Sequence, residues 1–250
     1  MSLKRMNKLI GTGPGLYLSL FKCLKMNPPV PVKVPIFGLV KTYHEINNIR
    51  DNFESERLRD SKAEQFLSKQ SSPLIIDCGI NVGITVRWWF HINPAAKVFG
   101  VDMVPETHAF TIESLRSIGI NKDRYKPFTA AIWEANGKEF KIGITDPLFG
   151  DTGLYRPDKE ETERIVVSKT LDTIFEEENI GEVALLKLDI EGAGGDALKG
   201  ADKLIKKVRH VVIEIHSEEE CRLSSNILAA NNFGLRGVTS KHLWWERSGK

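Results

Sequence analysis

The sequence predicts an α/β fold in which a mostly parallel sheet is covered by helices on both faces, preceded by a basic helical extension. Three observations carry this. From Pro73 onward, short apolar runs alternate with amphipathic stretches of helical spacing. The runs Leu74–Asp77, Val183–Asp189 and Val208–Ile215 are apolar through their centres, as strands buried on both faces must be. Each apolar run leads into a glycine- or acid-containing loop and then a helix, the rhythm of βαβ units. The 250 residues suit one such domain with an appendage, divided as residues 1–72 and 73–250.

The extension opens with a short helix around Leu16–Phe21. Pro28, Pro29, Pro31 and Pro35 then lock φ and require an extended connector. Ile46, Ile49, Phe53, Leu58, Phe66 and Leu67 recur among charges, which predicts amphipathic helix across residues 43–70. In the main domain, strand Leu74–Asp77 feeds helix Ile84–Ile92. Strand Lys97–Asp102 feeds helix Pro105–Ser117, with Pro105 in the first turn where its missing N–H is harmless. Strands follow at 125–133, 137–144 and 165–168, then a helix at 170–178. Strand Val183–Asp189, helix Asp196–Lys206, strand Val208–Ile215 and helix Glu218–Asn232 continue the alternation, and strands 234–238 and 242–246 close it.

Composition excludes several classes. Cys23, Cys78 and Cys221 are scattered without CxxC spacing, against a disulfide framework or structural zinc. No run of 18 apolar residues exists to span a membrane. Lys4, Arg5 and Lys8 before Leu9–Phe21 resemble a signal peptide, but Gly11, Gly13, Pro14 and Gly15 interrupt the apolar stretch and no A-x-A site follows; a cytoplasmic start is expected. Residues 1–44 carry seven Lys/Arg and no acid, whereas residues 45–250 are net acidic. The start is therefore either a solvated arm or a contact for an anionic surface, including peripheral contact with a membrane.

Chemistry gathers at strand ends. Asp77-Cys78-Gly79-Ile80-Asn81-Val82-Gly83 joins the first strong strand to a helix. Its glycines admit close approach of a ligand, and the helix start offers unpaired N–H groups. The spacing is not G-x-G-x-x-G, and an acid precedes the first glycine. This favours a ligand with an amino-acid tail over a dinucleotide, or else a tight turn with no ligand. Asp102 ends the next strand, placed to accept from a ribose diol or to cap the following helix. Extended alternation puts Lys187, Asp189 and Glu191 on one side of a third strand end. Glu214-Ile215-His216 ends a fourth, where His216 is either a general base or plainly exposed.

These motifs, in order, resemble the FkbM-family methyltransferases. The family's Asp-x-Gly-Ala-Asn-x-Gly is met by Asp77, Gly79, Asn81 and Gly83. Its acid and proline after the second strand are met by Asp102 and Pro105, and its Thr-Leu-Asp by Thr170-Leu171-Asp172. Its Lys-x-Asp-x-Glu-Gly is met by Lys187, Asp189, Glu191 and Gly192, its Leu-Lys-Gly by Leu198-Lys199-Gly200, and its closing strand by Ile213 to His216. Ile80 and Gly194 stand where the family has alanine and a second acid. The resemblance implies a seven-stranded, Rossmann-like class I fold, S-adenosyl-L-methionine as cofactor and O-methylation of a hydroxyl on a sugar or other small acceptor. It implies Asp77, Gly79, Asn81, Gly83, Asp102 and Met103 at the cofactor. Asp189, Glu191, Lys187 and His216 would then surround the acceptor, with no metal assigned. The loop 145–164, with Tyr155 and Arg156, is expected to border the acceptor site. The alternative is a silent protein of the same fold that binds a partner or anionic surface through its basic start. Nucleic acid is not expected as partner, because no Asn/Asp-Pro-Pro-Tyr/Phe motif is present and the domain beyond residue 44 is net acidic.

Overall fold

The computed structural model describes residues 11–54, 58–144, 146–148, 154 and 163–249. The N-terminal helix α1 spans Thr12–Leu24 and ends at Lys25, in the left-handed region at φ 53°. The proline-rich connector is extended, as expected, but it also pairs with itself. Strands β1 (Val32–Val34) and β2 (Gly38–Val40) form an antiparallel hairpin. The helix expected over 43–70 is broken. Helix α2 (Tyr43–Asn48) starts in a reciprocal cap between Thr42 and Glu45 and runs into a π-helical turn at Ile49–Glu54. A second helix, α3 (Ser61–Lys69), starts anew where the Asp60 side chain accepts from the Ala63 N–H. That N-cap is a local signal which the apolar spacing masked.

The main domain follows the expected rhythm. Strand β3 is Leu74–Cys78, helix α4 Ile84–Ile92, strand β4 Lys97–Asp102 and helix α5 Pro105–Ser117. The strand expected at 125–133 divides into β5 (Tyr125–Thr129), which pairs with β4, and β6 (Ala131–Ile132), which leaves for a separate small sheet. That sheet has order β6-β8-β7, with β7 at Glu139–Gly143 and β8 at Glu163–Lys169. Helix α6 (Leu171–Phe175), strand β9 (Val183–Leu188) and helix α7 (Gly194–Lys199) come next. Helix α7 is shorter than expected because Gly200 ends it against the backbone of Trp133; a Cβ there would lie 2.7 Å from that carbonyl oxygen. Strand β10 (Val208–Glu214), helix α8 (Glu218–Ala230), strand β11 (Phe233–Thr239) and strand β12 (His242–Arg247) complete the chain.

The main sheet has seven strands in the order β11-β12-β10-β9-β3-β4-β5. Strands β10, β9, β3, β4 and β5 are parallel neighbours, and β12 runs antiparallel between β10 and β11. The chain builds outward from β3 to β4 and β5, then returns to the other side of β3 to lay down β9 and β10. The switch point therefore lies between β3 and β9, and open α/β sheets bind ligands there, beyond the carboxyl ends of the strands.

Two cores cover the two faces. One packs Ile76, Leu186, Leu188 and Ile213 under α6, α7 and α8. The other packs Ile75, Leu185 and Val212 with Trp88 and Trp89 of α4, and it takes in Leu18, Val34, Phe37, Ile46 and Phe53 from the N-terminal segment. The described part of residues 11–70 thus shares a core with the sheet.

Candidate active site

One cavity of about 650 Å³ sits at the switch point, bounded by the loops after β3, β4, β9 and β10. Its floor is a buried charge cluster. The pairing of β3 with β9 puts Asp77 opposite Lys187. The Lys187 ammonium lies 3.1 Å from Asp77 Oδ1 and 3.3 Å from Asp189 Oδ2. It also donates to the carbonyls of Gly79 at 3.0 Å and Cys78 at 3.3 Å. Trp89 Nε1 donates to the other oxygen of Asp77 at 2.8 Å. Burial works against the Lys187 ammonium, but Asp189 and Asp77 outweigh it and hold its pKa above the ordinary lysine value. The cluster ties the glycine loop after β3 to the end of β9. Gly79, at φ 77°, makes the junction possible, since a Cβ there would lie 1.8 Å from the Asp189 carbonyl oxygen.

Asp102 closes β4 and accepts the N–H groups of Asn81 at 3.1 Å and Val104 at 2.9 Å. Burial pushes its carboxyl up to about 6 despite these hydrogen bonds. Around it, Ile80, Val101, Met103, Ile132 and Leu154 give the cavity an apolar side. Asn81 Oδ1 and Thr85 Oγ1, both on residues lining the cavity, are buried without hydrogen-bond partners among the described residues. Buried polar atoms of this kind are costly unless a ligand satisfies them.

Across the cavity stand Asp189, Glu191, Glu214 and His242. The strand pairing sets Glu214 opposite His242, the first residue of β12. Burial and the neighbouring charge of Asp189 push Glu214 up to about 9, so at neutral pH it carries a proton. Burial also penalises the Asp189 carboxylate, but Lys187 and the hydrogen bond from Glu214 override it and keep Asp189 below the usual carboxylate range. Two adjacent carboxyl groups thus hold opposite protonation states, set by which of them sits beside the lysine. Glu191 holds φ 52°, a left-handed conformation that is strained for glutamate and turns the chain into Gly192.

His216 lies outside the cavity lining. Its Nδ1 is 3.8 Å from Glu191 and its Nε2 is 3.7 Å from Glu214, which puts it beside both acids. Its backbone N–H donates at 2.8 Å to Glu220 of α8, whose other oxygen accepts from Gly194 N at 2.9 Å. A Cβ at Gly194 would meet that carboxylate at 2.9 Å, so the glycine makes room for an acid supplied by α8. Asp189, Glu214 and His216 offer ligand atoms within 4.8 Å of one another, a spacing that suits a divalent cation. The proton on Glu214 and the ammonium beside Asp189 compete with such an ion.

The remaining wall comes from the N-terminal segment: Lys22, Cys23 and Lys25 of α1 and its end, and Tyr43, His44, Asn47, Asn48, Arg50, Asp51 and Asn52. It is anchored by Arg87, fully buried on α4. Arg87 pairs with Glu45 at 2.7 Å and donates to the carbonyls of Phe37 and Val82, each at 2.9 Å. Of the residues expected at the site, Gly79, Asn81, Asp102, Met103, Lys187, Asp189 and Glu191 line the cavity. Asp77 lies beneath its floor and Gly83 caps α4, while Glu214, His242 and the N-terminal wall are additions. Pro147 and Leu154 bring the 145–164 loop to the cavity; Tyr155 and Arg156 lie outside the described residues.

Residues 77–232 match the family model of the methyltransferase FkbM domain. Over 167 residues the chain is 25% identical to the 2-O-methyltransferase NoeI of Sinorhizobium fredii (strain NBRC 101917 / NGR234), covering 61% of this chain and 67% of that protein. A crystal structure of methyltransferase FkbM from Methylobacillus flagellatus KT superposes with a TM-score of 0.52 and 16% identity, over 82% of this chain and 53% of that one. This chain thus spans about half the length of that protein, and the likeness establishes the shared fold.

Proposed function

The chain belongs to the FkbM methyltransferase family, and we propose that it uses S-adenosylmethionine to methylate a hydroxyl group on a sugar or other small acceptor. The observation that carries this reading is that Asp102, the unpartnered oxygens of Asn81 and Thr85, and the Asp189–Glu214 pair all face one cavity. The name of the NoeI relative, a 2-O-methyltransferase, supports oxygen as the acceptor atom.

The lining suits such a cofactor. Asp102 would accept from the ribose diol, and Met103 and Ile132 would pack on the adenine. Asn81 Oδ1 and Thr85 Oγ1 would be satisfied by its polar groups, and Gly79 would meet its amino-acid tail. The bound cofactor supplies an activated methyl group on a sulfonium.

The chain's own work is positioning and proton handling. Asp189, held ionised by Lys187, accepts the hydrogen bond of the acceptor hydroxyl, fixes the direction of its lone pair and takes up its proton as the oxygen–methyl bond forms. Glu214, protonated, donates to Asp189 and adds no second negative charge. Glu191 lines the acceptor side, and His216 positions Glu191 and Glu214 from behind. The Lys187 cluster keeps the glycine loop and Asp189 in fixed relation, so the two half-sites share one rigid floor.

Calorimetric titration with S-adenosylmethionine, S-adenosylhomocysteine and NAD, on the wild type and Asp102→Ala, tests the cofactor. Saturable binding of the first two, lost in the variant, is expected. Absence of binding by either would refute the reading. A screen of hydroxylated glycans with radiolabelled methyl donor then identifies the acceptor.

A further inference from the structure

Helix α1 has three faces. Leu18 and Gly15 are buried, Leu18 in the core that also holds Trp88 and Trp89, and Tyr17 packs on Phe21 with ring centroids 4.8 Å apart. Lys22 and Cys23 line the cavity. The third face is Leu16, Leu20 and Leu24, spaced four residues apart, which form one stripe covering about 80° of the helix circumference. All three are more than half exposed, and so are Met26 and Val30 just beyond the helix. Of the nine large apolar side chains standing exposed among the described residues, these five fall within residues 16–30. Single exposed leucines are ordinary, but a contiguous stripe of them marks a binding surface.

The charge around the stripe selects its partner. From residue 11 to residue 40 the charged side chains are Lys22, Lys25 and Lys33, all basic, and residues 1–44 as a whole carry seven basic groups and no acid. A helix with an exposed apolar stripe, in a segment whose charges are all basic, suits the plane of a membrane interface, its leucines among the acyl chains and the lysines beyond its end at anionic headgroups.

We propose that α1 docks this protein on an anionic lipid surface through Leu16, Leu20, Leu24, Met26 and Val30, with Lys25 and Lys33 at the headgroups. No helix among the described residues is long and apolar enough to cross a membrane, so the contact is peripheral. Because the same helix supplies part of the cavity wall, docking brings that wall to the lipid surface, where an acceptor carried on a lipid would be met.

The test is co-sedimentation of the full chain with vesicles of mixed phosphatidylglycerol and phosphatidylcholine, and with vesicles of phosphatidylcholine alone. Binding to the mixed vesicles is expected, falling with phosphatidylcholine alone and falling again between about 0.1 M and about 1 M salt. The triple variant Leu16→Ser, Leu20→Ser, Leu24→Ser should lower partitioning at least about tenfold. Its thermal unfolding and its S-adenosylmethionine titration should be unchanged, since these side chains neither enter the core nor line the cavity. That titration separates failure of this proposal from failure of the cofactor reading. Absence of wild-type sedimentation, or equal sedimentation of the variant, would overturn the proposal. So would light scattering that reveals a wild-type dimer dissolved by the variant, because a second copy would then cover the stripe.

Discussion

Replacing Lys187 with methionine keeps most of the side-chain volume and deletes one charge. In the wild type that charge is 1% exposed and lies within 3.3 Å of two carboxylates, one of them, Asp77, with no exposure at all. The variant strands both acids. Removing one partner of a buried pair costs about 3–5 kcal/mol, because the remaining charge loses its compensation while staying out of water. Against a typical domain stability of about 5–15 kcal/mol this is severe, and for a chain of this size it corresponds to a fall of roughly 6–20 °C in melting temperature. Loss of the donor to the Cys78 carbonyl adds little, since that oxygen also accepts from Asp189 N at 3.1 Å.

Urea unfolding followed by tryptophan fluorescence measures the cost, and pH reveals its origin. Asp189 is held below the usual carboxylate range in the folded wild type, so it contributes stability at neutral pH that is lost as pH falls through its folded value. In Lys187→Met the largest part of that contribution is gone, and burial is opposed chiefly by the hydrogen bond from Glu214. The gap between variant and wild type should therefore be widest near neutrality and narrow as the medium is acidified. Adding Asp77→Asn, which keeps an oxygen for Trp89, should recover at least about 1 kcal/mol. The reasoning is refuted if Lys187→Met costs under about 1 kcal/mol, or if the double variant falls by the sum of the singles.

The same electrostatics gives three further expectations. Because Asp102 is raised to about 6, affinity for S-adenosylmethionine should weaken as pH falls through that value, while Asp102→Asn binds at least about tenfold more weakly with a flat profile; calorimetry across pH reads both. Gly79→Ala should destabilise the fold by about 1–3 kcal/mol and abolish cofactor binding, since its Cβ would lie 1.8 Å from the Asp189 carbonyl oxygen at a φ of 77°. Glu214 is raised to about 9, so its protonated folded form costs the wild type stability as pH climbs from the ordinary carboxylate range to that value. Glu214→Gln mimics the protonated form, so it should be more stable than the wild type by on the order of 1–3 kcal/mol at neutral pH and should lack that loss in denaturant titrations across pH.

The parallel strands and their helices were legible because burial on both sheet faces leaves long apolar runs; α4, β4 and α5 match their expected bounds residue for residue. The strand-end acids were legible because charge at the end of an apolar run is costly unless it has a partner or a cleft. Other features lie in pairing and not in local pattern. Asp77 reads as a ligand group in the loop motif, yet its register opposite Lys187 turns it into the floor. Glu214 and His242 meet only because an antiparallel strand returns beside β10, a register that no local spacing encodes. Glu214 had a usable signal, since the alternation that grouped Lys187 with Asp189 also groups Glu214 with His216. The N-terminal wall had none, because its residues reach the cavity through a hairpin and a π-helical turn.

That wall changes what the segment before β3 means, from α1 onward. A separable arm would leave its buried polar groups to water when detached. Here the Glu45 carboxylate and the Arg87 guanidinium are both fully buried and pair at 2.7 Å, while the other Glu45 oxygen accepts from the N–H groups of Lys41 and Thr42. Burial works against the charge on Arg87, and Glu45 restores part of what burial removes. Arg87 also caps carbonyls from both sides of the junction, Phe37 from the hairpin and Val82 from the glycine loop. Lifting the segment away would strand a guanidinium beside the loop that faces the proposed cofactor. The N-terminal wall and the glycine loop are therefore coupled through one residue of α4.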